Sequence, residues 1–348
     1  MSHPRKGSAV RQPTKLIRTT GLLTGALVLS ACGASNTGSG DTEETTGAGG
    51  EQTAAASQWG DCDMTEGLAP VPDPEGTGED ADTTVDIGVF SGWDESYAAS
   101  YLYANVLEGM GYTVNLTEYE AAPMYTGLAD GDIDISLDTW LPLTHEDYLE
   151  QYGEDMTSLG CWYDNAKLTI AVNEDAPVES LAELNEHAEE FGGVLYGIEP
   201  GAGLTRITKE EAIPTYGLDD FEFRESSTPA MLSELKSATE SGENIVVTLW
   251  RPHWAYDAFP VRDLEDPEGA MGEAEFIYSF GRGDIEEEMP NVAQLVRNFV
   301  FTDEQLAELE NLMFSEEHYA GEDHEAAVAE WLEANPEFVD QLKAGELG

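Results

Sequence analysis

From residue 84 onward the chain alternates between two hydrophobic periods, and a polypeptide patterned that way has few folds open to it. "TVDIGVF" sets Val85, Ile87 and Val89 on one face of a strand, "YTVNLT" does the same with Tyr112, Val114 and Leu116, and "DIDISLD" with Ile133, Ile135 and Leu137. Between the first two, Ala98, Leu102, Val106 and Met110 recur every fourth residue, which is one face of a helix. The order is β-α-β. A second cycle follows: "KLTIAV", a helix near "SLAELNEHAEEF", "VLYGIE", a helix from about Thr205, another introduced by "SSTPAML", and the continuously apolar "NIVVTLW". An unbroken apolar run between helices suits a strand covered on both faces of a sheet. The end of the chain reads as helical, with Thr302 and Gln305 spaced as a capping box and "HEAAVAEWLEANP" stopping before Pro336. Two α/β lobes follow, with crossovers expected near residues 166–170 and 276–282, and ligands in such sheets gather at the carboxyl ends of strands.

What precedes residue 84 belongs to targeting. Basic residues up to Arg18 are followed by "GLLTGALVLSA", too short an apolar run to span a bilayer and ending in small residues before Cys32. This is a secretion signal. The ending "LSAC" resembles a bacterial lipobox, which makes Cys32 the lipidated N-terminus; the alternative is an ordinary signal that ends near a cysteine. Residues 33–58 are Gly, Ser, Thr, Ala and acid, a composition that stays flexible and buries no core. Cys62 and Cys161 then lie in a compartment that permits oxidation, as a disulfide or as two separate thiols.

Charge excludes one class of function. The chain carries 70 acidic against 15 basic residues, a formal net charge of −55, and Arg5, Lys6, Arg11, Lys15 and Arg18 all fall in the signal. Such a surface repels nucleic acid. It fits either a protein that stays hydrated in high salt, where counterions screen the self-repulsion, or a merely soluble acidic one. Acid pairs on helices such as "EEFGG" and "DEQLAELE" are expected by chance on solvated faces and point to no catalytic dyad.

Three tryptophans, Trp93, Trp140 and Trp250, fall directly after strands, where side chains reach a cleft. One alone is a packing residue; three at equivalent places form a cage, since indole faces are the best side-chain partners for a cation that donates no hydrogen bonds. The turn "GIEPGAGLTR" follows a strand and enters a helix, so its amides approach an anion closely. A carboxylate suits it better than a nucleotide phosphate, because it lacks the Gly-Lys-Ser/Thr ending of a phosphate loop and the spacing of a dinucleotide fingerprint.

The segments "GWDES", "GLADGDIDISLDTWLPLTHEDY", "GIEPGAGL" and "VVTLWRPHWAYDAF" resemble the substrate-binding lipoproteins of glycine betaine and proline betaine ABC transporters, over residues 84 to the end. The resemblance implies a two-lobed, type II periplasmic-binding-protein-like α/β fold with the ligand in the interdomain cleft. It implies a lipid-anchored, extracytoplasmic protein that hands quaternary ammonium solutes to a membrane permease and ATPase in osmoprotection, with no cofactor, metal or catalytic residue. Carried onto matching motifs, the ammonium cage is Trp93, Trp140 and Trp250, and the carboxylate is held by His145 and the amides of Gly203 and Leu204. Another branch of the family has a cage Trp within the glycine-rich turn where this chain has Ala202, so Trp93 must complete the cage. His253 and Trp254 in "RPHW" are read as structural, with His253 a possible cleft residue. The implied organisation is a signal peptide over 1–31, a flexible linker over 32–82, one lobe from 83–168 plus 280–348, and the other from 169–279. The competing classes are a secreted enzyme such as a glycoside hydrolase, whose sites also use tryptophan platforms and paired carboxylates, and a compatible-solute receptor.

Overall fold

The computed structural model describes residues 60–348; Cys32, the secretion signal and most of the linker lie outside the described residues. The strands are β1 (Thr84–Phe90), β2 (Thr113–Tyr119), β3 (Ile135–Leu141), β4 (Met156–Asn173), β5 (Val194–Tyr196), β6 (Glu222–Arg224), β7 (Val246–Arg251), β8 (Val261–Asp263) and β9 (Glu275–Arg282). They form one hydrogen-bonded path in the order β2-β1-β3-β9-β4-β7-β5-β6, with β8 beside β4. Strand β4 divides it. Its residues 156–166 pair with β9 and its residues 167–172 with β7, so one continuous strand serves two half-sheets. The first crossing thus lies where the sequence places it. The second does not: β9 pairs with β3 and β4 from Glu275 onward, so the return runs through residues 264–274, and residues 275–279 join the first half-sheet rather than the second.

Each half-sheet follows from its sequence. Val85, Ile87 and Val89 are buried, and the helix Asp94–Met110 covers the first half-sheet with Ala98, Leu102, Val106 and Met110 turned inward. Truncating a leucine buried like Leu102 costs about 2–5 kcal/mol. The helix ends because Gly111 takes the left-handed conformation (φ 100°) and its N–H returns to Glu108 and Leu107. Strand β3 starts at Ile135 and is buried along its whole length, so the alternation of Ile133, Ile135 and Leu137 marks a central strand rather than a half-exposed one. In β7 every residue from Val246 to Trp250 is buried, as the unbroken apolar run requires. The Thr302–Gln305 capping box forms, and the helices Asp303–Phe314 and His324–Ala334 pack back on Asp94–Met110.

Residues 60–82 correct the linker assignment at its far end. They lack regular structure but are tied to the body: Val71 N–H donates to the Lys343 carbonyl at 2.9 Å and Asp73 N–H to Asn291 Oδ1 at 2.8 Å. Asn298 Nδ2 donates to the Ala69 carbonyl at 2.7 Å. A disulfide joins Cys62 to Cys161 in β4, with Cα atoms 6.4 Å apart and the two cysteines 99 positions apart in sequence. A loop of that length is stabilised by about 4–5 kcal/mol through the restricted unfolded chain.

Candidate ligand-binding site

Where the half-sheets face each other, Trp93, Trp140, Thr144, His145, Ala202, Gly203, Leu204 and Trp250 line one hollow, together with Glu95, Leu168 and Ile198. The sequence-chosen cage and carboxylate residues are therefore brought together, with two refinements. Trp140 and Trp250 are the penultimate residues of β3 and β7 rather than residues beyond them, and Trp93 sits past β1 as the N-cap of Asp94–Met110. His253 does not line the hollow; it lies behind Trp250, ring centroids 4.5 Å apart. Both cage-bearing strands run into cis prolyl bonds, Leu141–Pro142 and Arg251–Pro252.

The indoles are fixed from behind by acids. Trp140 Nε1–H donates to Asp138 Oδ1 at 2.8 Å and Trp250 Nε1–H to Glu95 Oε2 at 2.9 Å. Burial pushes the Asp138 carboxyl well above the usual range, as does its neighbour Glu95. Burial raises Glu95 to about 7. Asp94 and Glu310 are likewise buried and shifted up by desolvation, then by the neighbouring acids. Glu310 ends the "DEQLAELE" segment read as a solvated face, and only 1% of it is exposed, so that reading fails at its last residue. Sequence reasoning missed Glu95 and Asp138 as well. A signal existed, since each stands two residues from a cage tryptophan, in Trp93-Asp-Glu95 and Asp138-Thr-Trp140. The indole faces themselves favour a cation.

Two of the lining side chains, His145 and Trp93, are donors without partners. Trp140 N–H donates to His145 Nδ1 at 2.9 Å, which leaves the hydrogen of the neutral ring on Nε2. Nε2 is buried and unpartnered, as is the indole N–H of Trp93, whose ring stacks on His145 at 5.4 Å. Burial, and then the charge of Arg206, lowers His145 to about 3, so it stays neutral at physiological pH. The loop before it is held by Glu275, which accepts from Leu143 N–H at 2.7 Å and Thr144 N–H at 2.9 Å. Across the hollow the "GIEPGAGL" turn is pinned by Glu199, which accepts from Thr228 N–H at 2.7 Å. It delivers Gly203 and Leu204 as the first residues of the helix Gly203–Ile207, where amides have no intrahelical acceptor. Gly203 is required by closeness: a Cβ there would lie 2.0 Å from the Thr144 carbonyl oxygen. Tyr148 Oη–H to the Gly201 carbonyl at 2.9 Å and Arg206 to the Leu143 carbonyl at 3.0 Å join the same two segments. Four donors converging on a buried space are suited to a carboxylate.

A family model described as the substrate-binding domain of the ABC-type glycine betaine transport system matches residues 83–334. The glycine betaine/carnitine transport binding protein GbuC of Listeria monocytogenes is 35% identical over 172 residues, which are 49% of this chain and 54% of GbuC, so the match spans about half of that relative. Lactococcal OpuAC, in its closed-liganded conformation with glycine betaine, superposes with a TM-score of 0.69 at 27% identity, covering 75% of this chain and 99% of that one. A choline-binding protein of an ABC transporter, complexed with choline, gives a TM-score of 0.69 at 28% identity, covering 76% of this chain and 92% of that one. The fold is thus the type II periplasmic-binding-protein fold that the sequence implies.

Proposed function

We propose, for a chain that belongs to the family of substrate-binding domains of ABC-type glycine betaine transport systems, that it binds betaines in the hollow between its lobes and releases them unchanged. The cage Trp93, Trp140 and Trp250 takes the trimethylammonium head; His145 Nε2–H and the amides of Gly203 and Leu204 take the carboxylate. The observation that carries this reading is the pair of buried, unpartnered donors, Trp93 Nε1–H and His145 Nε2–H, lining the same hollow as the indoles. A buried donor without an acceptor is costly, and a ligand carboxylate removes that cost. Choline's one neutral hydroxyl oxygen is a weaker acceptor for these donors than a carboxylate with two charged oxygens, so glycine betaine or proline betaine fits better than choline.

Ligand between two lobes joined by β4 and residues 264–274 shifts the population toward the closed form, which a permease and its ATPase recognise. The lobes in this reading are 83–168 with the C-terminal segment, and 169 to the end of the 264–274 return. Cys32 carries the lipid anchor, the linker beyond it reaches from the outer face of the membrane, and the acidic surface serves a salt-rich environment in which betaines act as osmoprotectants. Calorimetric titration with glycine betaine, proline betaine, carnitine and choline tests the assignment. Both betaines should bind at least tenfold more tightly than choline, and equal affinities would overturn the carboxylate site.

A further inference from the structure

We propose that Asp94 and Glu95 are positioning residues that form a latch across the cleft, drawing the segment from Trp250 to Trp254 onto the first lobe and setting the Trp250 wall of the cage. The two acids open the helix that follows β1, whereas both tryptophans belong to the end of β7 and the turn after it. Glu95 Oε2 accepts the Trp250 indole N–H at 2.9 Å, and Asp94 Oδ2 accepts that of Trp254. These pairs join residues 155 and 160 positions apart in sequence. His253 faces the same acid, although its Nε2 finds no hydrogen-bond partner. Its Nδ1 accepts from Ala255 N–H at 3.0 Å, so its hydrogen is on Nε2, which stands 3.5 Å from Asp94 Oδ2.

The arrangement has a direction. Asp94 and Glu95 are buried, beside the buried Asp138 and Glu310, and buried acids need donors. The donors come from the opposite lobe, so these bonds exist only while the lobes are together; apart, the same carboxyls are hydrated and the indoles free. A contact made only in the closed form lengthens the life of the bound state without changing encounter. Trp254 lies outside the lining of the hollow, so its N–H can be removed while the cage walls remain.

The latch rests on the betaine reading, and stopped-flow tryptophan fluorescence of the full chain with glycine betaine separates the two. Trp254→Phe deletes one indole N–H; its dissociation rate should rise about tenfold and its association rate stay within about twofold, since a hydrogen bond to a carboxyl is worth about that factor or more. Glu95→Gln keeps an acceptor oxygen and should stay within about threefold of wild type, whereas Glu95→Leu should lose about 30-fold or more through dissociation. Asp94→Ala combined with Trp254→Phe should be no worse than Asp94→Ala alone, because both remove the same bond. The latch is overturned if Trp254→Phe leaves dissociation unchanged while binding persists, if the loss is in association, or if the two changes multiply. A wild-type protein that binds no quaternary ammonium compound would overturn the ligand reading, and the latch with it.

Discussion

Replacing His145 by alanine should weaken glycine betaine more than choline, and the size of the difference follows from the two ring nitrogens. Nδ1 accepts the Trp140 amide hydrogen at 2.9 Å, and Nε2–H is the buried donor left for the ligand. Alanine removes both. Loss of the first strands the Trp140 amide at a cost of about 1–3 kcal/mol, but this falls on free and bound protein alike and is shared by both ligands. Loss of the second falls hardest on a ligand that has a carboxylate, at about 1.5–3 kcal/mol for a hydrogen bond to a charged group against about 0.5–1.5 kcal/mol for the neutral hydroxyl of choline. Beyond the shared cost, the dissociation constant should therefore rise about 10- to 150-fold for glycine betaine and about 2- to 12-fold at most for choline. Calorimetry of both ligands against wild type and His145→Ala measures the difference directly, with the shared structural cost cancelled. Equal losses for the two ligands would show that His145 only supports the β3 loop.

Truncating Trp140 or Trp250 to alanine should cost about 1–2 kcal/mol or more for any quaternary ligand, and dimethylglycine should bind more weakly than glycine betaine because it offers the indole faces one methyl group fewer and its N–H gives up water; competitive titration compares them. Gly203→Ala should weaken ligand binding more than 100-fold (~3 kcal/mol) while leaving the melting temperature of the unliganded protein within a few degrees, because its Cβ meets the Thr144 carbonyl only when the lobes close. The melting temperature should climb as NaCl rises from millimolar toward molar, given the net charge of −55, and a flat or falling curve in two different salts would refute the screening argument. For pH, Glu95, Asp94, Asp138 and Glu310 hold protons in the fold that the unfolded chain loses above about pH 4, so their stabilisation is present at low pH and lost as pH rises, for Glu95 through about 7. His145 and His253, lowered to about 3, act oppositely, but only between about 3 and their ordinary 6.5. Above about pH 6.5 the two histidines no longer contribute, so the calorimetric melting temperature should fall as pH rises through about 7 and fall less in Glu95→Gln.

Much of this molecule was legible in the chain because the signals were local. Period-two and period-four apolar spacing is a property of neighbouring residues, so the β-α-β order, the buried face of Asp94–Met110 and the covered strand β7 could be read directly. That Trp140 and Trp250 line the hollow was legible for a related reason: β3 and β7 end there, and a tryptophan stands near each end. The glycine-rich turn was legible as a strand-to-helix turn, which places Gly203 and Leu204 in the same lining.

What the tertiary structure decided are relations between distant segments, to which one-dimensional spacing is blind. Residues 60–82 read as linker because turns and prolines look alike whether free or docked, and they are held down by residues far away in sequence, among them Cys161, Asn291, Asn298 and Lys343. The return to the first lobe was placed too late because β9 is apolar on its own account, and nothing in its composition says which half-sheet it pairs with. Glu310 has the composition of a solvated helix face and the burial of a core residue, because Asp303–Phe314 packs against the helix that begins at Asp94. The tautomer of His145 depended on which amide its Nδ1 would meet. So did the pairing of two acids on one lobe with two indoles on the other: a strand that serves both half-sheets brings residues 94 and 254 within hydrogen-bonding distance, and local sequence carries no record of that distance.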